Sequence, residues 1–372
     1  MNFSYWEQKT WFSNIDFAVI GSGITGLNCA LSLRERFPKA KIMVLERGLL
    51  PNGASTKNAG FACFGSVSEI LDDLKTHSEE EVLQLIKQRK SGLELLRKNL
   101  GDENIGYKNY GGYELFSKKN QELYDECLLK RQAINKLLRP FFNESVFTET
   151  TNKFGFQNIL PKLIFNPFEG QINTGKMMEA LLQKVLSEKI MVLNQITVKE
   201  FSEIGNQVEV RTDQIDFKTK KLLIATNGFS KAIGIENVKP ARAQVLITKP
   251  INNLKIKGTF HLEEGYYYFR NIDNRILFGG GRNLDFNAEE TTEMNQTDLI
   301  QNDLKQKLKT IILPKTEHEI DHIWSGIMGV GEQKKPIVKQ LSNNVFCGVR
   351  LGGMGIAIGS FVGRELAELV EK

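Results

Sequence analysis

Two short runs, Asp16-Phe17-Ala18-Val19-Ile20 and Ile42-Met43-Val44-Leu45, are apolar at nearly every position. Unbroken apolar runs of this length predict strands buried on both faces, as in a parallel sheet. Between them Leu27, Ala30, Leu31 and Leu33 recur at helical spacing up to about Phe37, and Pro38 ends the stretch. Three further helices are predicted. Ser78-Glu79-Glu80-Glu81 is a capping box, followed by Val82, Ile86, Leu93 and Leu96 on one face. Residues 120–138 carry Leu123, Cys127, Ile134 and Leu138 inward, with Pro140 as the stop. Thr174 reads as the N-cap of a helix through Lys189. Strands are expected at 191–193, 197–200, 208–210 and 221–226, the last ending in Asn227-Gly228. Residues 240–283 change character. Strands at 244–248, 259–262, 266–270 and 276–278, with turn signals at Glu264-Gly265 and Asp273-Asn274, predict an antiparallel sheet. The chain closes on a strand at 345–349, a glycine-rich turn and a helix to Glu371.

The class is therefore α/β, and 372 residues allow two to three domains or one large body with an insertion. Composition is that of an ordinary globular protein, 41% hydrophobic and 25% charged, which excludes disorder and a coiled-coil rod. Forty-nine basic against 44 acidic residues leave +5, too weak an excess to argue for nucleic acid. No apolar run approaches the ~20 residues of a membrane helix. The start has no basic segment or apolar core, so neither a transmembrane segment nor a signal peptide is expected. Cys29, Cys63, Cys127 and Cys347 lie far apart without a CxxC pair, which fits a reducing, cytoplasmic setting.

Chemistry enters at Gly21-Ser22-Gly23-Ile24-Thr25-Gly26, between the first strand and its helix. Gly21 allows the tight turn, Gly23 lets backbone approach a pyrophosphate, and Gly26 lets helix pack on sheet. The helix N-terminus offers free N–H groups to phosphate. Glu46 ends the second strand twenty residues on, where an acid accepts from ribose hydroxyls, and Arg47 follows it. Strand, turn, helix, strand and acid agree on an adenine dinucleotide without choosing NAD or FAD. The next segment, Gly53-Ala54-Ser55-Thr56-Lys57-Asn58-Ala59-Gly60-Phe61, is rich in small residues that suit close backbone approach to something flat or phosphorylated. Gly352-Gly353-Met354-Gly355-Ile356 aims a second helix N-terminus, at a group that gains negative charge or simply at a sheet-closing turn.

The opening unit followed by Gly-Ala-Ser-x-Lys-Asn-Ala-Gly resembles the FAD-dependent oxidoreductases of the D-amino-acid oxidase superfamily, in the glycine oxidase, sarcosine oxidase and glutamylputrescine oxidase branch. The C-terminal glycine turn and helix match it as well, so the resemblance spans residues 15 to 370. It implies a Rossmann-like FAD-binding domain at 1–75, 150–238 and 320–372, interleaved with an antiparallel-sheet substrate domain at 76–149 and 239–319. It implies FAD near Gly21, Gly23, Ile24, Gly26, Glu46, Arg47, Ser55, Lys57, Asn58, Ala59, Gly60, Val198, Asn227, Gly228, Gly353, Met354, Gly355 and Ile356. On the substrate side it points to Tyr267, with Phe61 as a pocket wall, although the run Tyr266-Tyr267-Tyr268 fits core packing equally. Amino-acid-oxidising relatives hold the substrate carboxylate with an arginine after a Trp-x-Gly segment; here Trp324-Ser325-Gly326 leads to Met328. The sarcosine branch tethers its flavin through a cysteine there, so FAD is expected to be non-covalent. That branch also has a lysine where this chain has Ala357. Arg350 is the candidate for the missing cation, and carboxylate recognition is left open.

His318-Glu319-Ile320-Asp321-His322 matches the zinc signature H-E-x-x-H. Alternation through Ile320, Ile323-Trp324 and Ile327 favours a strand, in which the histidines stand ~13 Å apart and share no zinc. No metal is expected. The expected function is FAD-dependent oxidation of the C–N bond of an amine or amino acid, by hydride transfer to flavin N5, giving an imine that hydrolyses. Oxygen or an electron acceptor takes the electrons. The alternatives are C–O oxidation of a hydroxy acid or glycerol-phosphate-like substrate with His261 as base, a tRNA-modifying flavin domain, and a non-catalytic flavin-binding sensor.

Overall fold

The computed structural model describes residues 3–371. Its first sheet runs in the order Ile337–Ser342, Val345–Val349, Asp216–Ile224, Ile15–Ile20, Ile42–Leu45, Met191–Leu193. All are parallel except the edge strand Ile337–Ser342. The inner strands are apolar at nearly every position because both faces are covered. On one face, Ile24–Arg36, Glu79–Leu100, Thr174–Ser187 and Gly355–Glu368 bury Leu27, Leu33, Leu96, Met177, Leu181 and Leu366 against Phe17, Val19 and Leu223. On the other, Ala18, Leu222 and Cys347 pack with Val208 and Val210 from the hairpin Val198–Ile204 and Gln207–Thr212, which pairs onto Asp216–Ile224. This is the Rossmann-like half.

The second sheet runs in the order Ile320–Val330, Lys239–Thr248, Arg275–Gly280, Tyr267–Ile272, Thr259–Leu262, Gly112–Leu115, Lys162–Asn166, Thr148–Thr151. It is antiparallel apart from the parallel pair Thr259–Leu262 and Gly112–Leu115. One face buries Tyr113, Phe260, Tyr267, Phe269 and Phe278 with Ile300 and Leu304 of the helix Asp298–Lys307. The other meets the Ala59–Phe61 segment through Val245, Tyr268, Leu277 and Trp324.

The pairing moves two boundaries read from the sequence. Ile320–Val330 pairs along its length with Lys239–Thr248, so residues 320–330 extend the antiparallel sheet instead of returning to the dinucleotide half. Thr148–Thr151 and Lys162–Asn166 close the opposite edge. Conversely, Glu79–Leu100 lies against Gly355–Glu368 and puts Leu96 and Leu100 into the core of the parallel sheet. Hydrophobic pattern shows that a segment is a strand or helix but not which distant partner it joins. A smaller correction concerns the helix Thr174–Ser187. Its N-cap is Asn173, whose side chain accepts from Lys176 N–H, while the Thr174 hydroxyl donates to Asn58.

Candidate active site

Between the two sheets lies a cleft of about 710 Å³, within the roughly 300–1,000 Å³ of ligand pockets. At one end the wall is backbone. Gly21 has φ 102, and a Cβ there would stand 2.8 Å from Ala225 O; one on Gly26 would run into Gly21 O. Side chains are thus excluded where strand turns into helix. The helix Ile24–Arg36 has Gly23 as N-cap, with no side chain to close the first turn. Ser55 Oγ accepts from Ile24 N–H at 2.9 Å, while the amides of Thr25 and Gly26 have no intrahelical acceptor. Glu46 is buried at the end of the second strand. Its Oε2 accepts from Ser22 N–H (3.2 Å) and Oγ (2.7 Å), and its Oε1 from Gly48 N–H (2.9 Å), which fixes the carboxylate at the cleft. Arg47 lies over the Phe229 ring at 3.7 Å, and Val198 lines the same end.

The middle of the cleft is a knot of loops. Asn58 Nδ2 donates to the carbonyls of Ala54 and Ser55, and its Oδ1 accepts from Gly60 N–H and Thr174 Oγ1, both at 2.9 Å. Lys57 O accepts from Trp324 Nε1 at 2.9 Å, which pins the segment to the antiparallel sheet. Arg270, which the sequence did not single out, is fully buried. It donates from Nε to Ala59 O and from Nη2 to Ile172 O (2.9 Å), holding the backbone on either side of Gly60. Burial pulls its pKa down to about 10, with Asp273 opposing. Asn227 has φ 46 and accepts through Oδ1 from Leu351 N–H at 3.1 Å. A Cβ on Gly228 would meet Met328 O at 2.5 Å. Gly353, Met354, Gly355 and Ile356 line this wall, where the helix Gly355–Glu368 begins without a side-chain cap. Two open helix N-termini therefore face one cleft, and a Cβ is excluded where backbone packs most closely, at Gly21, Gly26, Gly60 and Gly228. Two anion-binding helix ends, a glycine cradle and a fixed acid fit an adenine dinucleotide.

The other end is made of side chains. The Phe61 ring stands edge-on to His261 and Tyr268, with centroids at 5.3 and 5.6 Å. His261 Nε2 is 2.5 Å from Glu169 Oε1, both buried. Burial alone lowers the imidazole pKa; the charge and hydrogen bond of Glu169 outweigh it and raise the pKa to about 9. Cys63 Sγ donates to Met354 Sδ at 3.8 Å. Its sulfur, the Glu169 carboxylate and the His261 ring nitrogen lie within 4.8 Å of one another. Glu114, also buried, accepts from Ser66 Oγ (3.0 Å), Ser68 N–H (3.3 Å) and Ser68 Oγ. The rim carries Glu69, Asp72, Asp73 and Glu264, with Lys334 paired to Asp72 (3.6 Å) and Asp73.

Of the residues expected from the sequence, Phe61, Arg350 and every cofactor-side position except Gly26 line the cleft; Gly26 lies behind it, packed on Gly21 O. Tyr267 does not. It faces the aromatic core with Phe269, and its hydroxyl donates to Asp303 Oδ2 at 2.8 Å. Alternation along Tyr267–Ile272 turns Tyr268 to the cleft, and Tyr266 lines it from just before the strand. The apolar helix beneath decides which face is buried, so the neighbours of Tyr267 are the cleft tyrosines. Arg350 reaches the cleft wall with φ 65, yet its Nε donates to Lys335 O at 2.9 Å. His261 was weighed only as a base, and Glu169, 92 residues away in sequence, carried no signal. In the zinc-like motif, His318 and Glu319 precede the strand Ile320–Val330, and His322 is exposed.

Comparison with known proteins places this cleft in context. A family model described as FAD dependent oxidoreductase matches residues 16–369. The protein named "Probable oxidoreductase OrdL" of Haemophilus influenzae is 21% identical over 380 residues, covering 97% of this chain and 84% of that protein. Gamma-glutamylputrescine oxidoreductase of Escherichia coli is 24% identical over 374 residues, covering 95% and 83%. The crystal structure of glycine oxidase from Geobacillus kaustophilus superposes with a TM-score of 0.76 at 19% identity, over 96% of this chain and 94% of that one.

Proposed function

The chain belongs to the family of FAD dependent oxidoreductases, and on that premise we propose that it oxidises the C–N bond of an amine or amino acid, with FAD held non-covalently. The observation that carries the choice of bond is His261. C–O oxidation needs a base for the hydroxyl proton, and the one histidine that lines the cleft among the described residues is hydrogen-bonded to buried Glu169, which favours its imidazolium near neutral pH. A neutral amine needs no such base. The names of the two relatives above, glutamylputrescine oxidoreductase and glycine oxidase, also speak for nitrogen-bearing substrates.

FAD supplies a two-electron hydride acceptor. The amides of Thr25 and Gly26, with Ser55, would hold its pyrophosphate, Glu46 its ribose and Val198 its adenine side. The helix start at Gly355 and Ile356, with the Lys57–Gly60 segment, would flank its flavin ring. Phe61 and Tyr268 orient the substrate and exclude water, so that it meets the acceptor unsolvated. Met328, where a tethering cysteine stands in part of the family, forms no covalent link. No helix among the described residues is long and apolar enough to cross a membrane; four buried free cysteines suit a reducing compartment such as the cytoplasm.

The test is anaerobic bleaching. The FAD-loaded protein is mixed with amines, N-methyl and D-amino acids, and hydroxy acids while flavin absorbance is followed. Fading with one amine class is the expected outcome, and readmitting oxygen or adding an electron acceptor then identifies what restores the colour. Fading with hydroxy acids alone moves the reaction to C–O chemistry. No fading with any substrate leaves a flavin-binding sensor.

A further inference from the structure

Two buried cations of the antiparallel sheet have a carboxylate in contact: Arg242 meets Glu289 at 2.7 Å, and His261 meets Glu169 at 2.5 Å. Arg270, in the same sheet, has none among the described residues. It is 2% exposed. Its acceptors are backbone carbonyls, Ala59 O, Ile172 O at 2.9 Å and Asn271 O at 3.4 Å. Asp273, on the exposed turn beyond the strand, acts on it without touching it. A charge kept out of water without a counter-charge is costly. Neutral donors can hold carbonyls, so the hydrogen bonds alone do not account for the charge. Its position bears on the cleft. Arg270 stands two residues after Tyr268, on the same face of the strand Tyr267–Ile272. A Cβ on Gly60 would come within 2.6 Å of Arg270 Nη2, and Gly60, with Ala59 and Phe61, lines the cleft. The charge is therefore set one glycine behind the cleft wall.

Resting on the placement of the flavin ring beside the Lys57–Gly60 segment, we propose that Arg270 tunes the cofactor: its charge, matched by no carboxylate in contact, acts through the Gly60 wall to favour the reduced flavin. Reduction by hydride brings two electrons and one proton, so the flavin gains one unit of negative charge. In a desolvated interior a fixed cation behind the wall stabilises that charge more than it would in water. The same guanidinium positions the loop, because its Nε and Nη2 hold the carbonyls on either side of Gly60. Positioning needs the donors and tuning needs the charge, so substitution can separate them. The effect is independent of whether the substrate is oxidised at a C–N or a C–O bond.

The test is the reduction potential of the FAD-loaded protein, read against a reference dye, together with titration by sulfite, which bleaches flavin by adding negative charge to it. Arg270→Gln keeps N–H donors for the carbonyls and removes the charge. Its potential should fall by about 30 mV or more, a tenfold change in a two-electron equilibrium, and sulfite should bind ~10-fold more weakly. Arg270→Lys keeps the charge and loses the fork, so its potential should stay near that of the wild type although FAD affinity falls. A mere clamp would lower FAD affinity in both variants and move neither potential, which overturns the proposal. If Arg270→Gln does not fold, Asn271→Asp takes its place. It keeps an acceptor for Gly258 N–H, now at 3.1 Å, and adds a carboxylate at the next residue; a potential that does not fall overturns the proposal. Lys57→Glu reports the placement on which the proposal rests. A shift there with none in Arg270→Gln overturns the proposal and leaves the ring beside Lys57–Gly60. No shift in either variant overturns the placement, and the proposal with it.

Discussion

The two ends of the cleft are built by opposite means. The end proposed for the dinucleotide is made of backbone, from turns in which strand, glycines and helix follow one another within a dozen residues. The end proposed for the substrate is made of side chains delivered by distant segments: Phe61 and Cys63, Glu169, His261, Tyr266 and Tyr268, and Arg282. A surface made of backbone depends on what is absent, a Cβ, whereas one made of side chains depends on which groups meet. The first resists substitution where it packs most closely, at Gly21, Gly26, Gly60 and Gly228, and the second can change its ligand while the fold stays.

The largest expected effect tests whether the backbone end is that rigid. Gly26→Ala puts a methyl group into Gly21 O, which neither the strand nor the helix can move to relieve. The expected loss exceeds about 3 kcal/mol, beyond the usual cost of overpacking, and shows in denaturant midpoints and in loss of bound FAD. Gly355→Ala is the control. Its Cβ meets only Leu351 Cδ1, at 3.9 Å, so stability should change by less than about 0.5 kcal/mol. FAD affinity should nonetheless drop, because the added methyl faces the cleft. Equal stability loss in both variants breaks the comparison.

At the side-chain end the sharpest test is pH. The folded pKa of His261, about 9, lies above the ordinary imidazole value of 6.5. A group raised in this way adds stability that is fully present below the unfolded pKa and lost as pH rises through the folded one. In Glu169→Gln that source of stability is gone. The wild type should exceed the variant by about 3 kcal/mol near pH 6, on the scale of 1.36 kcal/mol per unit, and the gap should close between pH 6.5 and 9. Urea unfolding of both proteins across that range measures it. A gap that stays constant or widens with pH rules out the buried imidazolium.

The same contrast explains what the sequence disclosed. Gly21, Gly23, Gly26 and Glu46 were readable because their chemistry is local: each glycine stands beside the element that needs it. The antiparallel sheet was readable strand by strand, but the membership of residues 320–330 was not, because pairing with Lys239–Thr248 lies some 80 residues off in sequence. Tyr267 was assigned to the wrong face for a related reason. Period-2 alternation separates two faces without saying which one Asp298–Lys307 covers. Glu169 and Arg270 gave no signal, since their partners, His261 at one site and Ala59 and Ile172 at the other, are remote in the chain.

The smallest effect decides how the two ends are joined. The helix Thr174–Ser187 belongs to the backbone end by packing, yet its first turn touches the Asn58 loop at the middle of the cleft. Two neighbouring residues divide the work. Asn173 caps the helix through Lys176 N–H at 3.0 Å, so Asn173→Ala should cost about 1 kcal/mol of stability and leave FAD affinity within two-fold. Thr174 donates to Asn58 O and Oδ1 and caps nothing, so Thr174→Val should cost less in stability and more in FAD affinity. Without that hydroxyl, Asn58 Oδ1 retains only Gly60 N–H among the described residues, and the loop at the middle of the cleft loosens. Thermal midpoints of the FAD-free protein, set against FAD titrations of both variants, separate the two roles. A Thr174 variant that loses stability alone would show that the loop is held by Arg270 without help from this helix.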